Sequence, residues 1–227
     1  IALVMGVEPT RFTVAMPALE WGTLGLTALL AVGCALVSIL FCRGLHITEH
    51  AAACWMKNGF VRAAVGGAVI VLATVLLGTT DYNGAGMDVI SRALTGEASG
   101  WAWLLKLLFT AVTIGCGFKG GEVVPSFFVG ATFGCVIGPM LGLAPGFAAA
   151  VGMVACFCGV ANCPLASILL SMELFGGQGM PLFALAVAVS FLCSGRCSLY
   201  TAQRLAVRKT NEPVNRNMNQ TVEGMDD

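Results

Sequence analysis

The sequence predicts an all-α, polytopic membrane domain of tilted and partly broken helices. Three observations carry that reading. Of 227 residues, 57% are hydrophobic and 11% are charged, whereas a soluble domain carries about 25% charged residues. Residues 21–42, 63–80 and 174–195 hold no charged side chain, and 101–118 holds only Lys106; a bilayer-spanning helix needs about 20 such residues. Third, a Gly-rich break carrying Lys and Glu, Gly117-Phe118-Lys119-Gly120-Gly121-Glu122-Val123-Val124-Pro125, separates two strongly apolar segments.

The elements follow in order. Residues 1–20 read as a helix end and an outer loop, broken at Pro9 and Pro17. Residues 21–42 form a first span that opens on an interfacial Trp21. Residues 43–62 form a part-helical connector, and 63–80 return. Within the polar stretch 81–100, residues 87–94 suit a short interfacial helix. Residues 101–116 re-enter the membrane and stop at the Gly117 break. No charge occurs from Val123 to Met172, a run too long for one span and interrupted by Pro139, Pro145 and Pro164. A new helix starts near Glu122–Pro125, where proline suits a first turn because its missing N–H would be unpaired there anyway. Gly130, Ala131, Gly134 and Gly138 then make a stripe of small residues that lets helices pack closely. Residues 147–160 form a further helix. Asn162-Cys163-Pro164 begins another, which ends at Gly176-Gly177. Residues 181–193 are the last apolar helix. Residues 200–209 open a short amphipathic helix, and 210–227 form a polar, irregular tail. The expected organisation is a membrane domain over 1–209 and a cytoplasmic tail over 210–227. Because the sequence starts at Ile1, it reads as part of a longer protein.

A formal net charge of +0 argues against a nucleic-acid partner. The positive-inside rule puts the basic 43–62 segment and the Arg-rich C-terminus in the cytoplasm, for a multi-pass protein of the plasma (inner) membrane. Most of the ten cysteines fall within apolar runs, where Cys packs as a small hydrophobe. Cys156-x-Cys158 and Cys193-x3-Cys197 lack a second pair at zinc spacing, so neither a metal nor a cofactor is expected.

The break at Gly117–Pro125 carries the chemistry. The first N–H groups of a helix have no internal partner and together bear about half a positive charge. Glycines beside them allow close approach to the backbone. Such an end holds an anion without the grip of a full cation, and conduction needs weak sites. A kinked hairpin with Lys119 snorkelling to an interface is the other reading. Glu122 is favoured as a carboxylate by the helix end and disfavoured by desolvation, so it suits a proton carrier; alternatively it is a cap paired with Lys119. Tyr200 offers a neutral O–H donor to an anion or serves as an interfacial belt residue.

Several runs occur in a telling order: Gly120-Gly121-Glu122-Val123-Val124-Pro125, then Gly130-Ala131-Thr132-Phe133-Gly134, then Ala161-Asn162-Cys163-Pro164-Leu165-Ala166-Ser167-Ile168 with Glu173, then Ser198-Leu199-Tyr200. In that order the chain resembles the C-terminal half of a CLC-type anion channel or proton-coupled antiporter. The resemblance implies the second half of an inverted-repeat architecture and transport of chloride or fluoride as a channel or anion/proton antiporter, with protons and the lipid bilayer as partners. It also implies a homodimer, to whose interface the Glu173 helix contributes. Backbone around Gly120, Gly121, Glu122, Val123 and Val124, with the Tyr200 hydroxyl, would line the anion site. Val123 stands where the commoner pattern has Phe, and Gly-Gly-Glu-Val is similar to the fluoride/proton-exchanging branch, which usually has Thr where this chain has Val124. The family's Gly-Ser-Gly and Gly-x-Glu-Gly loops belong to its N-terminal half and are not in these residues.

His46-Ile47-Thr48-Glu49-His50 fits the H-x-x-E-H metallohydrolase pattern. A membrane metallohydrolase using His46, Glu49 and His50 is therefore an alternative, although the chain has no third His. A non-transporting assembly subunit is a further alternative.

Overall fold

The structure, a computed structural model, describes residues 11–195, Leu199 and the backbone of 204–207 and 213–217. Eight helices occupy the described residues up to 195. α1 (Trp21–Trp55) is the longest. Its 35 residues extend about 52 Å at about 1.5 Å per residue, against a hydrocarbon core of about 30 Å. Thus α1 does not end near Cys42: most of the expected 43–62 connector is its continuation. The reason is local. Ala51-Ala52-Ala53 is a run of the strongest helix former, and no proline interrupts the segment. Only Met56, Lys57 and Asn58 separate α1 from α2 (Gly59–Leu77), whose N-cap Asn58 accepts a hydrogen bond from the Phe60 N–H at 3.0 Å.

α3 (Met87–Thr95) is the expected short helix, and α4 (Ala102–Gly115) re-enters. α5 (Val123–Met140) follows the break, then α6 (Pro145–Ala161), α7 (Pro164–Phe175) and α8 (Met180–Cys193). Each of the last three carries proline in its first turn. Asn162 ends α6 in the left-handed region at φ 55°, which stops the helix and redirects the chain into Cys163-Pro164. Three helices, α1, α2 and α5, are long and apolar enough to cross a membrane. The remaining apolar helices have 10–17 residues, too few for a full crossing.

α6 is the hub. Nearly every residue from Phe147 to Ala161 is buried, as expected of a helix that is apolar all round. It packs against α1, α3, α5, α7 and α8. The α5–α6 seam is the tightest. Gly130 faces the backbone of Gly152 and the Cys156 side chain, and Gly134 faces the backbone of Ala148. No side chain lies between these two helices along that line, and their backbones are in van der Waals contact. Polar side chains tie the ends: Ser190 Oγ donates to the Ala155 carbonyl at 2.6 Å, and Thr48 Oγ1 donates to the Ala111 carbonyl at 3.0 Å. The latter clamps the protruding end of α1 onto α4.

Beyond the helices, β1 (Arg204–Val207) pairs antiparallel with β2 (Pro213–Asn217). Within the helix expected over 200–209, the described residues 204–207 are instead a strand, and 213–217 of the tail expected to be irregular form its partner strand. Pro213 pairs as the first residue of β2, a position that tolerates its missing N–H.

Candidate functional site

The break between α4 and α5 is where the sequence located it. α4 stops at Gly115, and Gly117 sits at φ 91°, in the left-handed region that only glycine adopts without strain. A Cβ at Gly117 would also lie 3.0 Å from a terminal guanidinium nitrogen of Arg62, so the glycine lets Arg62 reach across from α2. Lys119, Gly120 and Gly121 run irregularly to Glu122, the N-cap of α5. No side chain caps this helix start. Its intrahelical ladder opens with the Ser126 N–H donating to the Glu122 carbonyl at 3.2 Å.

Two cavities meet at this break. One, about 510 Å³, is lined by His46 and Glu49 of α1, Arg62 of α2, Lys119 and Glu122 of the break, and Leu199. The other, about 560 Å³, is lined by Tyr82, Lys106, Thr110 and Thr113 together with Gly121, Val124 and Pro125 at the start of α5. Gly120 and Ile114 line both. Neither Gly120 nor Gly121 has any heavy atom within 4 Å of where a Cβ would stand, so a ligand in the cavities has open access to that backbone.

Glu122 precedes the helix and stands in the polar break, outside the spans. Its carboxyl is held above the ordinary range, first by desolvation and then by the negative charge of Glu49, with His46 acting in the opposite sense. The pairing with Lys119 that would have made it a plain cap does not form: among the described residues the ion pair is Arg92 with Asp81, at 2.6 Å. Val124 lines the second cavity, whereas Val123 lines neither; the Val123 carbonyl accepts a hydrogen bond from Ser126 Oγ at 2.6 Å. Tyr200 lies outside the described residues. Its neighbour Leu199, which is buried and lines the charged cavity, is fixed by donating its N–H to the Val160 carbonyl at 3.0 Å.

Sequence reasoning gave Lys106 and Arg62 no role. Lys106 is buried on α4, yet its Nζ donates to the carbonyls of Gly84 at 2.6 Å and Tyr82 at 3.1 Å and lies 5.0 Å from the centre of the Phe128 ring. A lone charge inside an apolar helix is the signal that finds such a residue. The H-x-x-E-H segment divides: His46 and Glu49 line the charged cavity, while the exposed His50 lies 3.5 Å from Cys54 Sγ. Among the described residues no three His, Cys, Asp or Glu side chains converge as a metal-ligand set. Cys34, Cys42, Cys116, Cys135, Cys156 and Cys158 are packed in the interior.

Comparison with known proteins gives a consistent picture. The family described as voltage gated chloride channel matches residues 1–195. The chloride/fluoride channel protein of Pseudomonas syringae pv. tomato is 36% identical over 217 residues, covering 92% of this chain and 48% of its own length. The H(+)/Cl(-) exchange transporter ClcA of Vibrio parahaemolyticus is 29% identical over 173 residues, covering 70% of this chain and 36% of its own length. The crystal structure of a CLC-type fluoride/proton antiporter superposes with a TM-score of 0.83 at 29% identity, over 88% of this chain and 51% of that one. The chain therefore spans about half the length of the channel protein and of the antiporter, and 36% of the exchange transporter. On the match over residues 1–195 and the shared helical architecture, the chain belongs to the voltage-gated chloride channel family, CLC.

Proposed function

We propose that this chain is the C-terminal half of a CLC transporter that moves a small halide, chloride or fluoride, across the plasma (inner) membrane in exchange for protons. The observation that carries the reading is the meeting of two cavities at Gly120, beside an uncapped helix start. An anion passing between the cavities meets the N–H of Val124 in the first turn of the helix and the glycine backbone of Gly120 and Gly121. These dipoles attract without the depth of a full charge, as conduction requires. The Tyr200 hydroxyl is the side-chain donor in this reading. Glu122 exchanges the proton: once neutral it no longer repels an anion at the helix end, so proton and anion occupancy become linked.

The Gly-Gly-Glu-Val run favours fluoride over chloride, in keeping with the names of the Pseudomonas relative and the structural neighbour. The protein is a transporter rather than an enzyme. It acts as a homodimer in the bilayer, with 1–209 as transport domain and the C-terminus, including residues 210–227, in the cytoplasm. The test is flux from liposomes containing the full-length protein, read with fluoride and chloride electrodes and a pH-sensitive dye. Anion efflux driving proton uptake is expected, with uptake lost in Glu122→Gln. Absence of anion flux from the wild-type protein overturns the proposal, and unchanged coupling in Glu122→Gln removes that residue from it.

A further inference from the structure

Resting on that reading, we propose that His46 and Glu49 at the projecting end of α1 form the proton route between bulk water and Glu122. Three observations support it. The three side chains line one cavity of about 510 Å³, room for several waters at about 30 Å³ each. Glu49 is exposed, whereas His46 and Glu122 are half-buried, so the shared cavity joins a solvent-exposed titratable group to two more sheltered ones. The length of α1 brings the first two there: its helix continues past the apolar run and is clamped to α4 through Thr48, in the middle of the same segment.

The charged groups facing Glu122 from the surrounding elements are His46 and Glu49 on α1, Arg62 on α2 and Lys119 in the break; the cation of α4, Lys106, faces the other cavity. Arg62 and Lys119 are basic side chains on the same cavity. They offset the two carboxylates but do not shuttle protons. Glu122 is lifted above the ordinary carboxyl range, first by desolvation and then by Glu49, and an imidazole and a second carboxylate, each able to take up and release a proton, line the same cavity. In the transfer, the Glu49 carboxylate or a ring nitrogen of His46 takes a proton from hydronium, releasing water, and passes it along water to a Glu122 carboxylate oxygen. The donor returns to its unprotonated form, and no electrons change hands. The two residues therefore act as relay groups for the proton.

The experiment uses the full-length protein in liposomes and compares wild type, the double variant His46→Gln/Glu49→Gln, the double variant His46→Gln/Glu49→Asp and the control His50→Gln. Proton flux driven by a fluoride gradient is read with a pH-sensitive dye. It is expected to fall about tenfold or more in the first double variant, equivalent to about 1.4 kcal/mol on the barrier. It should recover when Asp restores a titratable carboxyl, and His50→Gln should match wild type. A smaller fall in the first double variant, or no recovery with Asp, overturns the relay. Wild-type protein that moves no anion instead overturns the transport reading beneath it, so the two failures are distinguishable.

Discussion

Gly130→Ala is the substitution that most directly tests how the site is held. A methyl on Gly130 would stand 2.6 Å from Cys156 Cβ and 2.8 Å from the Gly152 carbonyl carbon, with the Gly152 carbonyl oxygen nearer still. Carbon atoms in ordinary contact stand about 3.5–4.0 Å apart. The seam between α5 and α6 must therefore open by about 1 Å. Overpacking of this kind costs about 1–3 kcal/mol. The upper half of that range is expected, because the obstacle is the backbone of a fully buried helix rather than the tip of a flexible side chain. For a chain of this length each kcal/mol lowers the melting temperature by about 2–4 °C, so a cost of about 2–3 kcal/mol gives a drop of about 4–12 °C. A fluorogenic maleimide can follow the melt, since Cys34, Cys156 and Cys158 are buried and become reactive on unfolding. Gly25→Ala is the control: its methyl meets nothing within 4 Å. If Gly130→Ala melts with wild type, α5 and α6 do not touch as described and the positioning of the break falls with them.

Other substitutions separate the parts of the site. Gly120→Ala has free space for its methyl, so the melt should stay at the wild-type value while anion flux drops; unchanged flux would mean the anion does not pass Gly120. Lys106→Met removes the donor that holds the Tyr82 and Gly84 carbonyls, at about 1.5–3 kcal/mol for a charged bond. Amide exchange over 79–86 should accelerate, and unchanged exchange would show that the lysine does not anchor that loop. The electrostatics around Glu122 predict shifts of opposite sign. Glu49 raises its proton affinity, so Glu49→Gln should move the pH midpoint of the Glu122-dependent proton flux down. His46 lowers that affinity, so His46→Gln should move the midpoint up. Both shifts are partial, because desolvation, the largest cause, is untouched; shifts in the same direction would refute the assigned neighbours.

Periodicity and punctuation made much of the helical framework legible. The start at Pro164 and the stop at Gly176 stand where the sequence places them, because the backbone limits on proline and glycine act locally, whereas the stops at Gly78 and Asn162 were not read from it. The extent of α1 was misread, since His, Glu and Arg after Cys42 look like the end of a span. An α-helix does not need to be apolar to continue, only to keep its hydrogen bonds and lack a breaker. The hairpin of 204–207 with 213–217 was missed for a related reason: strand pairing depends on a partner that a local pattern does not name.

At the site, the residues of the break and the carboxylate of Glu122 could be singled out from the chain alone, because charge and glycine between apolar runs violate what hydrocarbon tolerates. Lys106 could be seen as anomalous but not explained, because the carbonyls that accept its hydrogen bonds belong to a loop more than twenty residues away. The H-x-x-E-H spacing suggested a metal when taken along one helix.

By itself, the sequence determined that this chain is a bundle of membrane helices interrupted at Gly117–Glu122, since burial preference and backbone freedom belong to each residue. Only the tertiary structure decided that His46, Glu49, Arg62, Lys119 and Glu122 share one cavity and that Gly120 borders a second. Those neighbours come from three separate segments, and their electrostatic effect on one another falls with a distance that only packing sets.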